Sequence, residues 1–191
     1  MSRCPRVFAE GTFYHVSNRT ASGECPFLDR REAEGFVERV REAKARDGFA
    51  VFAWCLMSNH YHLVIRTGGV PLWRSLLLIQ QGTEFGLERS KGATGPLCWS
   101  RFGARPIRRR RALDGAVAYV HLNPVVAGLT EDPACYLWCG HRELLGLEAP
   151  RLVDVDVALA RFGARPDQAR QAYEALMRSL PHREACARRS R

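Results

Sequence analysis

The chain has no apolar run approaching the ~20 residues that cross a bilayer. Its start, Met1-Ser2-Arg3-Cys4-Pro5, has no apolar segment of the kind that directs secretion. These absences lead us to expect a cytoplasmic protein with no membrane partner. Acidic residues are scarce: 20 Asp and Glu stand against 29 Lys and Arg, a net charge of +9 that favours a polyanionic partner. No Cys-x-x-Cys pair occurs among the seven cysteines, Cys4, Cys25, Cys55, Cys98, Cys135, Cys139 and Cys186. Their odd number and scatter argue against a disulfide framework. Cys135, Cys139 and His141 cluster loosely, but a fourth ligand at zinc spacing is missing, so thiols in a reducing compartment are the better reading.

The composition is that of a soluble globular chain, 46% hydrophobic and 26% charged over 191 residues. That length suits one domain with a full core, or one domain and a small appendage. Residues 12–18 alternate β-branched and aromatic with polar side chains, a strand pattern. A Gly- and Pro-containing loop follows at 21–27. Asp29 with Glu32 three residues on resembles a capping box, and Phe36, Val37, Val40 and Ala43 give the next helix its apolar face, with Gly48 as its stop. Residues 49–57 read as a buried strand. Ser58-Asn59 turns the chain into a partner strand at 60–66. A second helix starts at Pro71 with Leu72, Leu76, Ile79 and Phe85, and the polar, Gly-rich stretch 86–95 reads as a loop.

Residues 97–107 look extended. A third helix at 113–122 ends or kinks near Asn123, because Pro124 fits poorly inside a helix. From Tyr136 the chain looks helical, with an amphipathic stripe of Ala169, Ala172, Tyr173, Leu176 and Leu180. The order strand, helix, strand, strand, helix, strand, helix suits an α+β fold, with helices packed on one face of an antiparallel sheet and the other face open. We place a domain at 5–146, a helical extension at 147–181 and a basic, disordered tail at 182–191. The hexapeptide Arg-Phe-Gly-Ala-Arg-Pro occurs at 101 and again at 161; its flanks differ, and we read it as coincidence.

His60 and His62 stand at i and i+2 of a strand, so both imidazoles share a face and can converge on one divalent ion, while Tyr61, Leu63 and Ile65 point the other way. Tyr119 and Asn123 stand at i and i+4 of a helix and also share a face. Either pair alone is ordinary. Together they supply what in-line attack on a phosphodiester needs: a tyrosine nucleophile, and a metal, with Asn123 as third ligand, that polarises the phosphate. Arg101, Arg105, Arg108, Arg109, Arg110 and Arg111 crowd one short stretch and suit phosphate contacts. Trp73 and Trp99 are candidates for base stacking.

At these residues the chain resembles the single-tyrosine HUH transposases of insertion sequences (the IS200-like kind), and among them the REP-associated tyrosine transposases. The matching segments are 14–19 (YHVSNR), 54–64 (WCLMSNHYHLV), 99–102 (WSRF) and 119–129 (YVHLNPVVAGL); 136–146 and 155–173 resemble later blocks. The resemblance implies a ferredoxin-like fold with a sheet of about five strands, and Mg²⁺- or Mn²⁺-dependent cutting and joining of single-stranded DNA beside hairpin-forming repeats, through a 5′-phosphotyrosine. It implies His60 and His62 as metal ligands, Tyr119 as nucleophile and Asn123 as the polar position one turn on. Arg19, in the first segment, joins the arginines expected to contact DNA. It also implies a nucleoid-associated monomer, with a homodimer as the alternative. Two departures stand out: Tyr61 replaces the usual aliphatic between the histidines, and Val126 stands where relatives often carry Arg. Tyr14, near the open face of the first strand, is a poorer second candidate for nucleophile.

Two other classes compete. A domesticated hairpin-binding protein would keep the fold without cutting, and a metallohydrolase would use water in place of Tyr119. A trapped covalent adduct separates the first reading from both.

Overall fold

The computed structural model describes residues 9–20, 25–91 and 102–180. The expected tail at 182–191, Cys4, Cys98, Cys186, Trp99 and Arg101 lie outside the described residues. The described elements are β1 (Phe13–Arg19), α1 (Arg30–Asp47), β2 (Ala50–Leu56), β3 (His60–Arg66), α2 (Leu72–Lys91), β4 (Gly103–Ile107), α3 (Arg110–Val126), α4 (His141–Leu145), α5 (Val155–Leu159) and α6 (Pro166–Ser179).

The first six form the βαββαβ order of a ferredoxin-like unit, and the strands pair antiparallel in the order β2-β3-β1-β4. A single antiparallel bridge from Cys55 to Cys139 continues this sheet of four beyond β2. Asp29 caps α1 by accepting the Arg31 N–H at 2.8 Å. Gly48 ends α1 at φ 70°, a left-handed conformation that suits glycine, and its N–H closes on the Lys44 carbonyl at 2.9 Å. β2 and β3 form a hairpin closed by Met57 N–H to His60 O at 2.8 Å, so the Ser58-Asn59 turn fixes the register that places the two histidines.

α1 packs against α2 and under the sheet, with Phe36 4.8 Å from the Tyr61 ring. Tyr61, Leu63 and Ile65 on that face are fully buried. The opposite face is not open, contrary to expectation. α3 crosses it with Leu113, Val117, Val120 and Leu122 buried, and His62 and Val64 are buried beneath it. The apolar stripe of α3 needs a surface to cover, and this face supplies it. Two helix boundaries also differ. α2 runs through Gly86 to Lys91, since one helical glycine costs only ~1 kcal/mol and good helix formers follow it. α3 runs through Pro124 to Val126, because a proline this near the C-terminus removes only one helical hydrogen bond. The helical segment expected from Tyr136 is broken into three helices joined by turns. No helix among the described residues is long and apolar enough to cross a membrane.

Candidate nucleic-acid cleavage site

The register of β1 against β3 pairs His15 with Val64, Ser17 with His62 and Arg19 with His60, so all six share one face of the sheet. On the other side of β1, His15 pairs with Arg105 and Ser17 with Gly103. α3 lays Tyr119 across this face. Its half-buried ring meets His15 at 5.6 Å and His62 at 5.7 Å between centroids, edge to face in both cases. The His60 and His62 rings lie 5.1 Å apart at 89°. His15 Nε2 stands 3.1 Å from His62 Nδ1.

A cleft of about 730 Å³ opens beside them, lined among others by His15, His62, Arg105, Arg111, Tyr119 and Leu176. The geometry therefore gathers His62, Tyr119, Arg105 and Arg111 at one place. His60 is buried next to His62 but does not line the cleft. Asn123 lies one turn beyond Tyr119 and donates its amide Nδ2 to the Tyr119 carbonyl at 3.4 Å, which leaves the amide oxygen as the end available to a metal. Arg19 reaches back to within 3.4 Å of His60 Nδ1. Arg108 and Arg109 are exposed outside the cleft, and Arg110 donates to the Arg161 carbonyl at 3.1 Å.

Two expectations change here, for Tyr14 and Trp73, while Tyr61 lies on the far face as expected. Tyr14 pairs with Ile65, on the face away from the histidines, so it is not a neighbour of His60 and His62. Tyr61 is fully buried on that same far face, opposite Asn18 of β1, and burial pushes its pKa up; it is a core residue. Trp73 is half-exposed on α2 and does not line the cleft. Reasoning from sequence missed His15. Its signal was present in the alternation of His15, Ser17 and Arg19 on one face of the first strand, but only the pairing with β3 brings it to His62.

The residues fit a divalent ion in their chemistry. Two neutral imidazoles and an amide oxygen suit Mn²⁺, and Mg²⁺ with more of its ligands from water and phosphate. Among the described residues no group of three or more His, Cys, Asp or Glu side chains could hold a metal. The histidine pair therefore needs an amide, phosphate or water oxygen to complete a site. The loose Cys135, Cys139 and His141 set makes no zinc centre either: Cys139 is buried and Cys135 exposed.

No protein-family model and no curated protein matches the chain. Solved structures do. A REP-associated tyrosine transposase bound to a REP hairpin superposes with a TM-score of 0.64 at 19% identity, covering 81% of this chain and 93% of that one. A transposase candidate from Deinococcus radiodurans R1 gives 0.42 at 14% identity over 58% of this chain and 89% of that one, too loose a likeness to carry an argument. At 19% identity the first likeness is one of architecture, and the fold of this chain is that of a REP-associated tyrosine transposase.

Proposed function

We propose that this protein is a transposase of the REP-associated tyrosine kind, which cuts and rejoins single-stranded DNA beside a hairpin through a covalent phosphotyrosine. The observation that carries the reading is Tyr119, held edge-on against His15 and His62 at the wall of a cleft that also presents Arg105 and Arg111. The structural neighbour was solved with a REP hairpin, which supports hairpin DNA as the partner.

The arginines anchor phosphates of the incoming strand by charge, without reading sequence. The Tyr119 oxygen attacks the scissile phosphorus in line. The bond from phosphorus to the 3′ oxygen breaks, the phenolic proton passes to water, and the leaving oxygen takes up a proton as a 3′-hydroxyl. A new 3′-hydroxyl attacking the phosphotyrosine reverses these steps and joins strands. His60, His62 and Asn123 would hold Mg²⁺ or Mn²⁺, which supplies positive charge for the phosphate oxygens. Leu176, from α6, adds an apolar side chain to the wall of the cleft.

The test is a denaturing gel of protein incubated with Mn²⁺ and a labelled single-stranded hairpin from the flanks of its own gene. A protein–DNA adduct with the wild type that vanishes in Tyr119→Phe is the expected result. Cleavage that survives the substitution would move the chemistry to water or another tyrosine. Hairpin binding without cleavage by either protein would make the chain a binding protein.

A further inference from the structure

Each histidine of the proposed metal pair uses one ring nitrogen on a neighbour, and in both it is Nδ1. His60 Nδ1 lies 2.8 Å from Asn59 Oδ1. An amide oxygen only accepts, so His60 carries its proton on Nδ1 and presents Nε2 as a lone pair. Arg19, 3.4 Å from the same atom, cannot share it by hydrogen bonding, since a guanidinium only donates. His62 Nδ1 stands 3.1 Å from His15 Nε2, and this contact has two solutions. If His15 donates, His62 carries its proton on Nε2 and that atom cannot ligate a metal. If His62 donates, its Nε2 is a lone pair, matching His60.

We propose that His15 is a positioning residue: its Nε2 accepts the Nδ1–H of His62 and so holds His62 in the tautomer whose Nε2 is the ligand atom. The inference rests on the metal reading above. The backbone makes the arrangement rigid, because β1 pairs His15 one step along from Ser17, the partner of His62, and the two rings stack at 5.2 Å and 20°. Metal-ligating imidazoles generally give their second N–H to such an acceptor, which fixes ring orientation as well as tautomer. His15 also packs edge-on against Tyr119, so one side chain sets the spacing of ligand and nucleophile.

Two measurements on the full chain test this. Long-range ¹H–¹⁵N NMR of the metal-free protein reads the His62 tautomer. Protonation on Nδ1 is expected, and protonation on Nε2 overturns the proposal whatever the metal does. Mn²⁺ titration by calorimetry, with melting curves confirming that each variant folds, reads the consequence. His15→Phe keeps the ring contacts and removes the acceptor, and should weaken Mn²⁺ binding roughly 10–100-fold. His15→Gln, whose Oε1 takes the place of Nε2, should stay within about threefold of wild type, as an acceptor for the His62 Nδ1–H is retained. Equal affinity of wild type and His15→Phe overturns the proposal, as does a glutamine variant as weak as the phenylalanine one. A wild type that binds no Mn²⁺ overturns the metal reading itself, and with it the ligand role; the tautomer measurement keeps that failure apart from a failure of the His15–His62 bond.

Discussion

Five tyrosines sit in this chain, and what separates the one proposed as nucleophile from its rivals is which side of a strand or helix it occupies. Tyr61 lies between the two histidines in sequence, yet the period of two along β3 sends it to the far face, onto Phe36. Replacing it by Phe removes one buried hydroxyl and should change stability by about 1 kcal/mol or less, read by urea denaturation, while adduct formation stays at the wild-type level. A folded Tyr61→Phe protein that no longer forms the adduct would return Tyr61 to the site. The His60–His62 pairing and the isolation of Tyr61 were legible because both follow from strand alternation within seven residues. His15 was not, because its partner is 47 residues away and the register of β1 on β3 decides which of its faces meets His62.

Among the elements, those framed by local chemistry were read closely. β3 has its expected limits, and α1 lies between Asp29 and Gly48 because a cap and a left-handed glycine are properties of a few adjacent residues. α2 and α3 overran their expected ends because a helix breaker seen in sequence does not say how little a single Gly86 or Pro124 costs at its place in the helix. The covered second face was invisible for a related reason: the sequence shows that α3 has an apolar stripe, but not which surface it meets. The edge of the sheet holds another such contact. Gly140 N–H bonds the Trp54 carbonyl at 2.9 Å, and a Cβ at Gly140 would come within 2.7 Å of Val153 Cγ2 and 2.8 Å of Trp54 Cδ1. Both neighbours are buried, so Gly140→Ala should cost about 1–3 kcal/mol of overpacking. A wild-type urea midpoint in that variant would show that the joint between β2 and α4 yields easily.

At the scale of the whole molecule, the C-terminal helices are keyed into the core. Asp154 accepts the Val51 N–H at 2.7 Å, Glu143 accepts from Trp54 Nε1 at 2.7 Å and Val153 N at 2.8 Å, and Arg161 pairs with Asp114 on α3 at 2.6 Å. The joint at their centre is buried and polar: Tyr173 of α6 bridges His121 Nδ1 of α3 and His141 Nδ1 of α4. One phenol has a single proton to give, so it donates to one imidazole, which must be neutral to accept it, and accepts from the Nδ1–H of the other. Burial lowers the pKa of each. His141 falls to about 4, with Arg142 adding to the lowering and Asp132 and Glu174 opposing it, and His121 falls well below its usual value, helped by His141. The unfolded chain, with imidazoles near ~6.5, binds protons that the folded protein refuses as pH drops from there towards 4. Stability should therefore be complete above about pH 6.5 and decline on acidification, by about 2 kcal/mol at pH 5 from His141 alone and further, in the same direction, from His121. Urea midpoints at pH 7.5 and pH 5 measure the decline, and His141→Gln, which cannot take up the proton, should flatten part of it. A midpoint that holds or rises between those two pH values would mean that the two histidines carry charge inside the fold, and that Tyr173 does not join them as neutral partners.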